Sequence, residues 1–321
     1  MRISTNTIYQ SGINKITTLQ SEQVKLQQQI STGKRISSPS DDPVGAAQAL
    51  EISYAQGLNT KFADTRKTAE LKLNTIESSL TGVTNLLVAA QSSLVAAGNG
   101  SYSDQDRALI ATDLQGSLDM LIGLANTKDA SGNYLYAGYQ TGTIPFSGSK
   151  NFAAPIPPAI TPTIVSSYNY QGDSNQQLLQ IDAQRQMAVN VSGDSVFQGG
   201  GYDVFATLSN VITLLNTPIA TTNATNPAAF STALATGIAN MQGSVDNILN
   251  VRASIGAKLN EIDGLNLSGS DRDLQYSKSL SDLQDLDYAS ALSDLSKQQA
   301  IMEAAQKSFV AVTGLSLFKY I

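Results

Sequence analysis

Residues 73–97 read LNTIESSLTGVTNLLVAAQSSLVAA. Leu73, Ile76, Leu80, Val83, Leu87, Ala90, Leu94 and Ala97 recur in steps of three and four, the spacing of a helix that buries one stripe against neighbouring helices. Upstream, Ser40-Asp41-Asp42-Pro43 offers a helix start, with an Asp or Ser cap and a proline in the first turn. A single helix from Val44 to Ala97 would be about 80 Å long at 1.5 Å per residue, with Gly57 and Gly82 as places where it could bend or split. Downstream, Gly98-Asn99-Gly100-Ser101 ends it. Ser103 or Asp104 then caps an antiparallel partner that carries Ile110, Leu114, Leu118 and Leu121 on one face to about Thr127.

Further out the period changes. Asp129-Ala130-Ser131-Gly132-Asn133 has turn chemistry, and Tyr134 to Tyr139 is aromatic and strand-like. Five of the nine prolines fall between Gly142 and Gly201, a density that suits edge strands and loops. Thr163–Tyr170 and Gln177–Ile181 read as strands there. Helical spacing resumes at Val204, Leu208, Val211 and Leu215. After a polar loop, Thr217 to Asn226, it continues from Pro227 to about Leu265, and Leu267-Ser268-Gly269-Ser270 is expected to interrupt it.

The two ends carry thinner stripes. Near the N-terminus Tyr9, Gly12, Ile16, Leu19, Gln23, Leu26 and Ile30 follow the heptad spacing; near the C-terminus Tyr288, Leu292, Leu295, Gln299, Met302, Gln306 and Phe309 do the same. Glutamine sits where a stable isolated coil would have Leu or Ile. Such helices gain little alone, yet the run from Phe309 to Ile321 is apolar enough to need cover. The expectation is an assembly interface: Ile16, Leu19, Leu26 and Ile30 from one end, with Leu292, Leu295, Met302, Phe309, Leu315, Leu317 and Phe318 from the other.

The fold class that follows is mainly α with a small inserted β domain. Its helical domains are discontinuous, formed from both chain ends, with long antiparallel helices in heptad packing. The expected division is 1–40 with 280–321 as a terminal coiled-coil assembly domain, 41–133 with 202–279 as a helical bundle, and 134–201 as an outer β domain.

Composition narrows the function. The chain has 321 residues, enough for two or three domains. With no His and no Cys, it lacks the usual metal ligands, the thiol nucleophile and the side chain that titrates nearest neutral pH. Charged residues are only 14% and the net charge is -6, so nothing resembles a nucleic-acid footprint or an anionic-membrane anchor. No catalytic, cofactor or metal site is expected. Asp41-Asp42 reads as a helix cap and not as an acid/base pair. Asp282, Asp285, Asp287 and Asp294 lack the spacing of a calcium loop. Gly199-Gly200-Gly201 lacks the Lys-Ser/Thr of a phosphate loop. A carboxylate-based hydrolase and an adhesive β domain are the alternatives from other classes. The polar N-terminus shows no secretory signal, so the expectation is a chain that is cytoplasmic or leaves by a route that needs no cleaved signal.

Four stretches resemble the flagellin superfamily. They are Ile30-Ser31-Thr32-Gly33-Lys34-Arg35-Ile36 with Ser38-Pro39-Ser40-Asp41-Asp42-Pro43; Ala125 to Gly138; Val251-Arg252-Ala253-Ser254-Ile255-Gly256-Ala257-Lys258-Leu259-Asn260; and the ending Ser316-Leu317-Phe318-Lys319-Tyr320-Ile321. Pro39, Pro43 and the last six residues are similar to the member that joins hook to filament; the alternative is flagellin, the filament subunit. Lys319 stands where that member is expected to have an acidic residue. The resemblance implies a structural protein of the bacterial flagellum, secreted unfolded by type III export and working by self-assembly. It also implies its partners: copies of itself, a neighbouring hook-associated protein on the hook side, flagellin on the filament side, and a cytoplasmic export chaperone on the C-terminal segment.

Overall fold

The computed structural model describes residues 5–148, 168–219 and 227–314. In order these form α1 (Thr5–Thr32), α2 (Pro43–Ala97), α3 (Asp104–Ala125), β1 (Phe146–Ser147), β2 (Asn169–Tyr170), β3 (Leu178–Asp182), β4 (Arg185–Ala188), α4 (Gly193–Phe197), α5 (Val204–Leu215), α6 (Pro227–Gln284) and α7 (Tyr288–Gly314). The chain is mainly α with a small β portion, as its patterning requires. It divides into two compact units, 1–60 with 269–321 and 61–268.

In the 61–268 unit the opening stretch becomes the core stripe of α2: Leu73, Leu80, Leu87 and Leu94 are all fully buried. Leu114, Leu118 and Leu121 of α3, Leu208 and Ile212 of α5 and Met241 and Ile248 of α6 belong to the same cluster. Each side chain of this size contributes about 1.5–3 kcal/mol on burial. α3 begins with a reciprocal cap, in which Ser103 accepts from the Asp106 amide and Asp106 accepts from the Ser103 amide, so two otherwise orphaned donors are satisfied.

The β portion is slight. Among the described residues, β1 pairs with β2 and β3 with β4, both antiparallel. The Gln177–Ile181 expectation is met by β3; of Thr163–Tyr170 only the end is described, as β2. Tyr134 to Tyr139 is turns and not a strand. The backbone reverses there, with Gly138 at a φ of 67° and the Gln140 amide donating to Ala137 O, neither of which a strand allows; within the turns the Tyr136 ring is fully buried and meets Phe197 edge-on at 5.2 Å. Phe146 lies 4.9 Å from Phe205 and 5.4 Å from Phe197. These aromatic rings join the same core cluster as the long helices, so the strands and helices of this unit share one interior.

α2 is the single long helix expected, unbroken at Gly57 and Gly82. One other local expectation changes. α6 does not break at 267–270 and runs to Gln284. Gly269 is buried within it, and its carbonyl accepts from the Asn59 side chain at 2.8 Å. This hydrogen bond from α2 ties down the turn of α6 at that glycine and opposes the usual glycine cost of about 1 kcal/mol in a helix.

Candidate assembly interface

Within the unit formed by the two chain ends, α1 and α7 pack antiparallel. Two contacts fix how they align. A Cβ on Gly12 would stand 2.5 Å from the ring of Phe309, and one on Gly33 would stand 2.8 Å from the Tyr288 hydroxyl. Phe309 also meets Tyr9 at 5.2 Å. Gly12 is therefore the socket that receives Phe309. Gly33 has a further reason to be glycine, because its φ of 71° is in the left-handed region.

The half-buried residues of α1 include Gly12, Ile16, Leu19, Gln23, Leu26 and Ile30, the stripe read from the sequence. On α7 the stripe is offset. Ala291 and Met302 are buried, Leu295, Gln298, Ala305 and Phe309 are half-buried, and Leu292, Gln299 and Gln306 are exposed. Both readings share 295, 302 and 309, and 3.6 residues per turn let either the third or the fourth intervening residue face a partner. The antiparallel partner selects 291, 298 and 305, two of them alanines that allow the helices to approach.

Of the residues expected to carry assembly, Ile16, Leu19, Leu26 and Ile30 thus lie on the α1 seam, and Leu295, Met302 and Phe309 on the α7 seam. Leu292 is 52% exposed, outside it. Leu315, Leu317 and Phe318 lie outside the described residues. The seam does not account for all apolar surface in this unit. Val24, Val44, Leu50, Tyr54 and Leu274 are each 62–73% exposed, apolar area that another surface could cover.

A polar clasp closes the inner end of the coil. The Arg35 amide donates to Gln284 O at 2.7 Å and the Leu286 amide to Gly33 O at 2.9 Å. Arg35 also donates to Leu283 O at 2.8 Å. Lys25 Nζ lies 2.8 Å from Asp41 Oδ1, and Asp41 Oδ2 accepts from the Ser37 and Ser38 amides. The Lys25 contact first, then the Ser38 amide, holds the Asp41 carboxyl below its ordinary range. Asp42 accepts from the Gly45 amide at 2.9 Å, the capping role expected of this pair. Asp287 likewise caps α7 through the Ala289 and Ser290 amides.

The clasp was legible only in part. Asp41 and Asp42 announce a helix start, but nothing local in the sequence pairs residues 33–35 with 283–286, a contact some 250 positions apart. Among the described residues no group of three or more Asp and Glu is placed to hold a metal ion. In the 61–268 unit, the strongest pKa displacements are those of tyrosines: burial raises Tyr136, and burial pushes Tyr170 up to about 12. These are packed rings whose hydroxyls are kept neutral.

The chain is similar to known proteins over nearly its whole length. The family model for the bacterial flagellin N-terminal helical region matches residues 3–141. Flagellar hook-associated protein 3 of Escherichia coli is 38% identical over 99% of this chain and 99% of its own length. The protein of the same name from Salmonella typhimurium is 36% identical over 99% of each. In fold, the crystal structure of the flagellar junction protein FlgL from Legionella pneumophila superposes with a TM-score of 0.60, covering 74% of this chain and all of that one at 19% identity.

Proposed function

This chain belongs to the flagellar hook-associated protein 3 family, and on that premise we propose that it joins hook to filament by self-assembly through the helices of its two ends. It is a structural component of the bacterial flagellum. The observation that carries the reading is identity at 36–38% across nearly the whole of both chains. The flagellin match, by contrast, concerns the N-terminal helical region, residues 3–141, which favours the junction member over the filament subunit.

Mechanism here is geometry. The α1–α7 coil gives each copy a two-helix element, and the exposed Leu292 and Val24 remain for neighbouring copies. In the assembled tube, residues 1–40 with 280–321 would form the inner coiled-coil part, 41–133 with 202–279 the bundle around it, and 134–201 the outside. One face would meet the preceding hook-associated protein and the other flagellin. Before export a cytoplasmic chaperone would cover the C-terminal segment, including Leu315, Leu317 and Phe318. The protein would leave the cell without a cleaved signal and act outside it, with no catalytic role and no cofactor.

The test is deletion of the gene in its own bacterium. Hooks should remain, and flagellin should be released unpolymerised into the medium, with filaments restored by the intact gene. Normal filaments in the deletion strain would overturn the junction role.

A further inference from the structure

The alignment of α1 with α7 has a constant sum. Gly12 meets Phe309 and Gly33 meets Tyr288, and each pair of numbers adds to 321. The half-buried and buried stripes obey the same rule between these limits: Ile16 with Ala305, Leu19 with Met302, Leu26 with Leu295, and Ile30 with Ala291. The remaining pair at this sum is Gln23 with Gln298. Both are half-buried, and each is the glutamine within its own apolar stripe. A second observation points to the same place. The side-chain oxygen Oε1 of Gln298 is buried with no hydrogen-bond partner, whereas the amide of Gln23 carries two N–H donors.

We propose that Gln23 and Gln298 form one polar layer across the coil, in which rotation of the Gln23 side chain supplies the donor that Gln298 Oε1 lacks here, and that this layer selects the register in which the two chain ends pair. If α7 slips by one heptad, Gln23 faces Ala291 or Ala305, and Gln298 faces Ile16 or Ile30. Both amides then lose their partner in a half-buried seam while the apolar layers remain apolar. The loss of a buried polar partner disfavours the slipped coil by about tenfold or more. A single polar layer is a general way for a coiled coil to give up stability in exchange for register. The clasp at residues 33–35 also resists slipping, but it acts at one end, and the coil continues about 30 Å beyond it. The inference concerns the chain by itself and holds whatever its partners are.

Because the chain has no cysteine, disulfide trapping reads the register directly, even in a coil that forms only briefly. The probes are two double variants of the full chain at dilution where it is monomeric. Leu26→Cys with Leu295→Cys reports the observed register, and Leu26→Cys with Met302→Cys reports a slip of one heptad. In the native background the first pair should cross-link at least about tenfold more than the second. In a Gln23→Leu/Gln298→Leu background the slipped pair should rise toward the yield of the first. Slipped cross-linking that stays absent in the double-leucine background would overturn the proposal, because the clasp alone would then set register. So would failure of Leu26→Cys/Leu295→Cys to cross-link in the native background. Circular dichroism of each variant checks that the 61–268 unit is folded, so neither result can be a trivial loss of structure.

Discussion

Gly12 is defined by what it lacks. Any side chain there collides with the Phe309 ring, so Gly12→Leu should force the two helices apart at a cost of about 1–3 kcal/mol, the usual range for overpacking. The coil has little to spare, so limited proteolysis should cut within 5–32 and 288–314 faster, while thermal unfolding of the 61–268 unit is unchanged. Asp41 acts through charge. Its folded-state pKa lies below the ordinary 3.8, so its contribution is present above that value and lost as pH falls through the depressed folded value. Asp41→Asn should remove this dependence: the native clasp should loosen on acidification below about pH 4, read by exchange of the Ser37 and Ser38 amides, and the variant should not share that acid step. The spacing shows Gly12 on the stripe, but its need to be glycine depends on which α7 residue lies opposite, and that is set by a partner nearly 300 positions away.

At the scale of elements, α2 is the member whose pattern could be read almost without error. Every position of its 73–97 stripe is buried as spaced, because a strong heptad leaves only one face to bury. Leu87→Ala, in a fully buried site, should therefore lower the stability of the 61–268 unit by about 2–5 kcal/mol, seen as a lower urea midpoint. Weak patterns misled. The α7 stripe allowed 291 or 292, 298 or 299 and 305 or 306, and its alanines and glutamines gave no energetic reason to choose until α1 lay against it. The 267–270 break was inferred from glycine and serine propensity, which the contact between Asn59 and Gly269 overrides. The stretch 134–139 looked like a strand from its tyrosines, yet Gly138 in the left-handed region turns the chain there.

For the whole molecule, the ends do most of the explaining. A coil of half-buried residues, a glutamine layer and large apolar side chains left uncovered in the same unit describe an element that is marginal alone and satisfied by neighbours. The well-buried heptad core of the 61–268 unit is its opposite. Low local stability in one region and high stability in another is measurable as amide exchange. The direct comparison is hydrogen exchange of the full chain as a verified monomer and as assembled flagellar material. Residues near 1–35 and 285–314 should exchange almost unprotected in the monomer and become protected on assembly, while the α2 core is protected in both. Equal, strong protection of the two ends in the monomer would contradict assembly through helices that become fully ordered only among copies.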